Sequence, residues 1–70
     1  MLLLTMNEYN HLTVGELENR YYNRLYREIA KRLGDKITRK LLEKYMGYTI
    51  KQLSINSMFD VLGCFTIIGE

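Results

Sequence analysis

A single cysteine and a single histidine constrain most strongly how this 70-residue chain can fold. Cys64 has no second cysteine with which to form a disulfide inside the chain, and Cys64 with His11 supplies too few ligands for a structural zinc ion. Domains of this size usually need such a cross-link, because burial of a small core only about balances the entropy lost on folding. Stability must then come from close helix packing or from self-association, so we predict a homodimer.

Composition and the lengths of the uncharged runs exclude several other classes of protein. Hydrophobic residues make up 47% of the chain and charged residues 26%, which is typical of a globular domain rather than a disordered segment. No uncharged run approaches the roughly twenty residues that a membrane-spanning helix needs, so we expect no membrane segment. Because small secreted domains are normally rich in disulfides, the lone cysteine favours the cytoplasm.

A capping signal and the spacing of apolar residues predict a long first helix. Thr13 and Glu16 have capping-box spacing, in which each side chain accepts a hydrogen bond from the backbone N–H of the other residue. The helix should therefore begin near Val14. Apolar residues then recur every three or four positions until Gly34, which can adopt the left-handed conformation that ends helices.

The second half of the chain should form two shorter helices. Asp35 or Thr38 can cap a helix that ends at Gly47. The residues expected to face inward on this helix are Ile37, Leu41, Leu42, Tyr45 and Met46. Thr49 and Gln52 repeat the capping-box spacing and open the third helix, whose end could lie anywhere up to Gly63.

Both ends of the chain are expected to lie outside these helices. Residues 1–12 are predicted to be irregular. Phe65, Thr66, Ile67 and Ile68 resemble a strand in composition, but four residues without a partner strand make no stable sheet. They are predicted to form an apolar tail that packs on the helices or on a second copy. The predicted fold is all-α: one three-helix domain over residues 1–70, with a possible fourth helical turn.

Charge is distributed unevenly along the chain. All ten basic residues lie between positions 20 and 51, where there are only three acidic residues. Four of them fall within an arc of roughly 60° on a regular helix and would form a stripe opposite its apolar face; they are Arg20, Arg24, Arg27 and Lys31. Such a stripe suits a nucleic-acid backbone, because each neutralised phosphate releases condensed counterions. The alternative is that it is only the solvated face of an amphipathic helix.

Residues 27–45 locally resemble a helix-turn-helix motif. Ala30 is the small residue where two helices would cross, and Gly34 would open the turn, which Asp35 and Lys36 lengthen by two residues. The second helix of this register would be basic, through Arg39, Lys40 and Lys44. A second register, with Gly47 in the turn, would instead present Lys51, Gln52 and Asn56. We prefer the first register because its recognition helix carries more positive charge.

Side chains that could support catalysis are scarce. The sequence contains no Gly-rich phosphate loop, no zinc-ligand spacing and no nucleophile elbow. We therefore predict that the protein is not an enzyme and needs no cofactor and no metal. The aromatic and apolar residues offer a different possibility, a protein interface. The candidate interface residues are Tyr21, Tyr22, Tyr26, Phe65, Ile67 and Ile68.

The sequence is consistent with two functions. The first is a small cytoplasmic regulatory protein of phage, plasmid or low-GC bacterial type that binds DNA. The DNA-binding residues would be Arg20, Arg24, Arg27, Lys31, Arg39, Lys40 and Lys44. The second is a phage- or plasmid-type adaptor or inhibitor that docks its basic, tyrosine-rich helix on an acidic surface of a larger protein.

Overall fold

The computed structural model describes residues 2–69. Within that range the chain forms five α-helices and a two-stranded parallel sheet, so the prediction of an all-α, three-helix fold is wrong. The strands are β1 (Leu2–Thr5) and β2 (Phe65–Ile68). The helices are α1 (Met6–His11), α2 (Val14–Tyr21), α3 (Arg24–Leu33), α4 (Asp35–Tyr45) and α5 (Ile50–Asn56). A 3-10 turn, Leu62–Cys64, leads into β2.

The sheet joins the two ends of the described chain. Leu2 pairs with Phe65 and Thr5 pairs with Ile68, in parallel register. Residues 2–11 are therefore ordered as β1 and α1, and the prediction that residues 1–12 are irregular is wrong over this range; Met1 lies outside the described residues. The prediction that residues 65–68 form an apolar tail without a partner strand is also wrong: they form β2, whose partner strand is more than sixty positions away in sequence.

Each strand contributes apolar side chains to the core. Leu2 and Leu4 are buried whereas Leu3 is exposed, as the two-residue alternation of a strand requires. Four residues show too few alternations for this pattern to be recognised from the sequence. Phe65 is buried as well, so the predicted apolar tail is part of the sheet.

The first predicted helix is divided in two. Its start at Val14 is confirmed, with the Thr13–Glu16 capping box in place. Tyr22 and Asn23 then adopt positive φ angles of 48° and 68° and separate α2 from α3. This break turns the chain, and α3 packs against α4 and β1 as well as against α2.

The N-terminus of α2 is held by the connection between α4 and α5. The backbone N–H of Val14 donates to the Tyr48 carbonyl at 2.8 Å, and that of Gly15 donates to the Met46 carbonyl at 3.0 Å. These bonds satisfy two of the N–H groups that every helix leaves without an internal partner. The second predicted capping box, Thr49 with Gln52, is also present at the start of α5.

Helix α4 buries only part of its predicted face. Leu41, Leu42 and Tyr45 are buried as expected, whereas Ile37 and Met46 are 41% and 45% exposed. The prediction that Ile37 and Met46 face inward is therefore wrong. The rest of the protein covers a narrower stripe of this helix than the spacing of its apolar residues suggested. Across residues 2–69, no helix is both long and apolar enough to cross a membrane.

Candidate nucleic-acid interface

Three of the four predicted stripe residues share one face of α3. Arg24, Arg27 and Lys31 are exposed, and Leu25 and Ile29 are buried on the opposite side of the helix. Arg20 lies on α2, before the break at Tyr22 and Asn23. The structure therefore does not form the single four-residue stripe that a continuous helix would have carried.

Arg20 forms an ion pair with the buried carboxylate of Glu8. Its Nη1 lies 2.7 Å from Oε2 of Glu8, which also accepts a hydrogen bond from the Tyr21 hydroxyl at 2.5 Å. Burial alone would raise the pKa of Glu8, but the Tyr21 hydroxyl, the Thr5 backbone N–H and the Arg20 guanidinium lower it to about 2. Arg20 therefore joins α2 to α1, and its charge is paired with that of Glu8.

Three further basic side chains have acidic partners on the surface. Lys31 pairs with Glu28 at 3.3 Å, Arg39 with Asp35 at 3.2 Å, and Arg32 with Asp60 at 2.8 Å. Lys31 and Arg39 nevertheless remain 72% and 68% exposed. Because exposed ion pairs contribute little free energy, a phosphate could still compete for these two cations.

The outer face of α4 carries cations without such partners. Lys36, Lys40 and Lys44 are four residues apart and therefore lie on one side of the helix. Within residues 2–69 none of the three forms an ion pair, and the same is true of Arg24 and Arg27 on α3. Sequence reasoning missed Lys36, although its spacing of four from Lys40 was a usable signal.

A concave surface connects the exposed faces of α3 and α4. It lies beside the start of both helices and has a volume of about 420 Å³. Arg27 from α3 and Arg39 from α4 both line it, together with Asn23, Tyr26 and Asp35. The Tyr26 hydroxyl donates to the Asp35 carboxylate, and this bond raises the pKa of Tyr26. One basic residue from each of the two helices therefore meets at this concavity, which Lys36, Lys40 and Lys44 do not line.

The connection between these helices is not that of a helix-turn-helix motif. Gly34 alone separates α3 from α4, with a φ of 90°, whereas the motif has a turn of three or four residues. Asp35 and Lys36, which were expected to lengthen the turn, form the first turn of α4. The helix-turn-helix interpretation of residues 27–45 is therefore wrong.

Both amides of the second register make hydrogen bonds at or within α5. Oε1 of Gln52 accepts the Thr49 backbone N–H at 3.0 Å, as part of the capping box. Nδ2 of Asn56 donates to the Gln52 carbonyl at 2.8 Å. Each amide therefore has one of its two polar atoms engaged in the helix, and Lys51, the charged member of that set, forms no ion pair among residues 2–69.

The residues predicted as a protein interface have unequal exposure. Tyr22 is 83% exposed and Ile68 is 40% exposed. Tyr21 and Tyr26 are half-buried and direct their hydroxyls to carboxylates, Phe65 is buried, and Ile67 packs partly against the core. The predicted homodimer stays a prediction, although residues 65–68, which were expected to pack on the helices or on a second copy, are part of a sheet within the chain.

An apolar groove beside α4 was not anticipated from the sequence. It lies between α4 and residues 57–59, and Ile37 is one of its lining residues. Sequence reasoning missed it because Ile37 was placed in the core.

On another side of α4, Oε1 of Glu18 is buried without a hydrogen-bond partner in the described structure. Burial raises the pKa of this carboxyl, and the Tyr26 backbone N–H opposes the shift.

The cysteine and the histidine occupy different environments. Cys64 is buried, and burial raises the pKa of its thiol. His11 is exposed at the end of α1. Over residues 2–69, no three His, Cys, Asp or Glu side chains come together in a way that could hold a metal ion. The absence of enzymatic activity stays a prediction.

The fold and the surface together describe a small, mostly helical domain closed by a parallel strand pair and basic on the outer faces of α3 and α4. A scan against protein-family models found no match. Searches of curated proteins and of solved structures found no match either.

Proposed function

We propose that this protein binds duplex DNA through the outer faces of α3 and α4. The observation that carries the proposal is a set of cations on two packed helices that have no acidic partner among residues 2–69 and are exposed to solvent. They are Arg24, Arg27, Lys36, Lys40 and Lys44. Lys31 and Arg39 lie on the same two helices and supplement them when their weak surface ion pairs open.

The dimensions of this surface suit the phosphate backbone. Lys36 and Lys44 are eight residues apart, so they span about 12 Å along α4. Phosphates of one strand follow each other every 3.4 Å or so along the axis of B-DNA, and the lysines can therefore reach several of them.

The proposed contact is with phosphates more than with bases. No helix-turn-helix geometry presents α4 to the major groove, and each of the two α5 amides has one polar atom engaged at or within its own helix. Lysines and arginines position a protein on the duplex without reading its sequence. In this proposal the protein is a small cytoplasmic regulatory protein that acts by occupying DNA, with affinity that depends strongly on salt.

Salt dependence of duplex binding tests the proposal directly. With five unpaired cations engaged, the logarithm of the association constant should fall with the logarithm of salt concentration at a slope of about −4.5. The double variant Lys36→Gln/Lys40→Gln should reduce that slope by about 2, because each lost phosphate contact removes roughly 0.9. Fluorescence anisotropy of a labelled duplex across a salt series provides the measurement.

Lys51→Gln is the matched control for that experiment. Lys51 is an exposed, unpaired cation on α5, outside the proposed surface. Its removal should leave the salt slope unchanged within error. If the Lys51 variant and the double variant lose affinity equally per charge, binding is nonspecific attraction to a cationic protein. Absence of duplex binding at low salt would refute the proposal.

A further inference from the structure

The groove beside α4 is a second surface with its own chemistry. It has a volume of about 220 Å³ and lies between α4 and residues 57–59, where the chain has left α5. Five of its lining residues are apolar or aromatic; they are Ile37, Leu41, Tyr45, Met58 and Phe59. We call this surface the α4 groove.

The walls of the α4 groove are fixed by hydrogen bonds. The Tyr45 hydroxyl donates to the Asn56 carbonyl at 3.2 Å and so holds the end of α5 against α4. The Phe59 backbone N–H donates to the Ser57 hydroxyl at 3.0 Å, which closes the turn on the other wall. The groove is therefore present before any partner binds.

The side chains along the α4 groove expose apolar surface to water. Met58 is 97% exposed, and Ile37 and Phe59 are about 40% exposed. Neighbouring apolar groups that remain exposed in a folded protein commonly mark an interaction site. Covering them would gain hydrophobic free energy that the isolated chain does not obtain.

Charge at the α4 groove is of one sign. Lys40 and Lys44 also line it, and no acidic residue does. Neither lysine forms an ion pair within residues 2–69, and like charges four apart on a helix repel each other. Nζ of Lys44 lies 5.3 Å from the centroid of the Tyr45 ring, which keeps the ammonium group next to the apolar wall. A carboxylate placed here would relieve the repulsion.

We propose that the α4 groove binds an acidic amphipathic helix of a partner protein. A volume of 220 Å³ is below the roughly 300 to 1,000 Å³ of sites that enclose a drug-sized ligand, but it can accept one or two large apolar side chains. A helix docked in a groove presents such anchors at intervals of three and four residues. Acidic residues beside the anchors would pair with Lys40 and Lys44.

This partner fits the groove better than the DNA of the preceding proposal does. A phosphate backbone could neutralise the lysines, but it carries no apolar side chain to cover Ile37 and Phe59. A bilayer is also anionic and apolar, yet a concave site receives a protruding side chain more readily than a flat surface. The inference therefore goes beyond DNA binding: the groove shares Lys40 and Lys44 with the proposed DNA-binding surface, but it also uses Ile37 and Phe59, which DNA binding does not need.

The experiment uses a labelled peptide with the expected chemistry and the full chain. The reporter is the fluorescein-labelled peptide ELEELLEELEELLE, whose leucines form one helical face. Its control, KLKKLLKKLKKLLK, keeps that face and reverses the charge. We expect the acidic peptide to bind at least about tenfold more tightly than the basic one, as measured by fluorescence anisotropy. Equal affinity for both peptides, or no binding of the acidic peptide at about millimolar concentration, would overturn the proposal.

Neutral substitutions separate this groove from the DNA-binding surface. Ile37→Ser and Phe59→Ser should each weaken peptide binding by about tenfold and leave duplex affinity unchanged, because they remove apolar surface without changing charge. Ile55→Ser is the control, since Ile55 is 72% exposed but lies outside the groove. Far-ultraviolet circular dichroism verifies that every variant is folded.

Two further measurements address other occupants of the groove. Vesicles of phosphatidylcholine mixed with phosphatidylglycerol should bind the Met58→Ser variant and the parent chain equally. A loss of vesicle binding in that variant, without peptide binding in the parent, would assign the groove to a membrane and overturn the proposal. A dimer seen by sedimentation and abolished by Phe59→Ser would overturn it in favour of a second copy.

Discussion

At the scale of single residues, Glu8 connects more of the molecule than any other charged side chain described above. Its carboxylate caps the start of α1 through the Thr5 backbone N–H at 2.8 Å, and it also receives Arg20 and Tyr21 from α2. Thr5 and Glu8 have the same spacing as Thr13 and Glu16, so the cap could have been found in the sequence. The contact between Glu8 and Arg20 could not have been found in this way, since Glu16 is nearer than Glu8 to Arg20 along the chain.

Replacement of Glu8 by Gln should lower the free energy of unfolding by roughly 2 to 4 kcal/mol, because a neutral amide then replaces the buried carboxylate to which both Arg20 and Tyr21 donate. The pH dependence follows from the pKa of about 2 in the folded state, below the ordinary value of 4.5. Glu8 therefore contributes its full stability above pH 4.5, and the contribution is lost as the pH falls towards 2. Urea unfolding of parent and variant between pH 7 and pH 2 measures the difference.

Glu16→Gln provides the comparison for this prediction. Glu16 occupies the same position in the capping box of α2, but its side chain is exposed. The loss at pH 7 should be clearly smaller than for Glu8→Gln. Glutamine can keep the capping box, as Gln52 does with Thr49. Equal losses would therefore mean that a negative charge at the helix start, and not the buried contact with Arg20 and Tyr21, accounts for the importance of Glu8.

At the scale of the elements, the helix starts were predictable and one interruption was not. The capping boxes at Thr13 and Thr49 give the starts of α2 and α5 directly. The break between α2 and α3 has no glycine or proline to indicate it, and a left-handed tyrosine is uncommon. Apolar spacing continued across the break, because residues on both sides are buried in the same core. The basic stripe was misplaced for this reason.

Tyr22→Gly should stabilise the protein by roughly 1 kcal/mol. A left-handed backbone costs an ordinary L-residue about 1 to 2 kcal/mol and costs glycine little, although glycine also gains entropy in the unfolded chain. Tyr22 is 83% exposed, so its ring contributes little burial that would be lost. The change in the chemical denaturation midpoint provides the measurement.

Tyr22→Ala separates the backbone effect from the loss of the ring. Alanine removes the same aromatic group but keeps the steric cost of the positive φ at residue 22. It should therefore be no more stable than the parent. An alanine variant as stable as the glycine variant would show that the backbone conformation at this position is not strained.

At the scale of the whole molecule, the sheet is the feature that sequence patterns could not reveal. Either strand alone is too short to be stable, and each becomes recognisable only when the other is known. Between them, β1 and β2 supply Leu2, Leu4 and Phe65 to the core that the helices share. The prediction of a helical domain was therefore right for the middle of the chain and wrong at its two ends.

Leu4→Ala should destabilise the whole domain by roughly 2 to 5 kcal/mol, since Leu4 is fully buried and its loss leaves a cavity. The alanine variant should unfold in one transition at a lower temperature, with strand and helix signals lost together. Leu3→Ala is the matched control, because Leu3 is on the same strand and 53% exposed. Similar melting temperatures for the two variants would contradict the placement of β1 in the core.

The parallel pairing of β1 with β2 also sets the order in which the native state can be reached. During synthesis Leu2 and Leu4 leave the ribosome first, whereas the strand that pairs with theirs is made more than sixty residues later. The helices can form earlier, but part of the core stays uncovered until Phe65 emerges. This part of the core is therefore completed only once β2 has emerged, and the nascent chain offers chaperones an uncovered leucine pair until then.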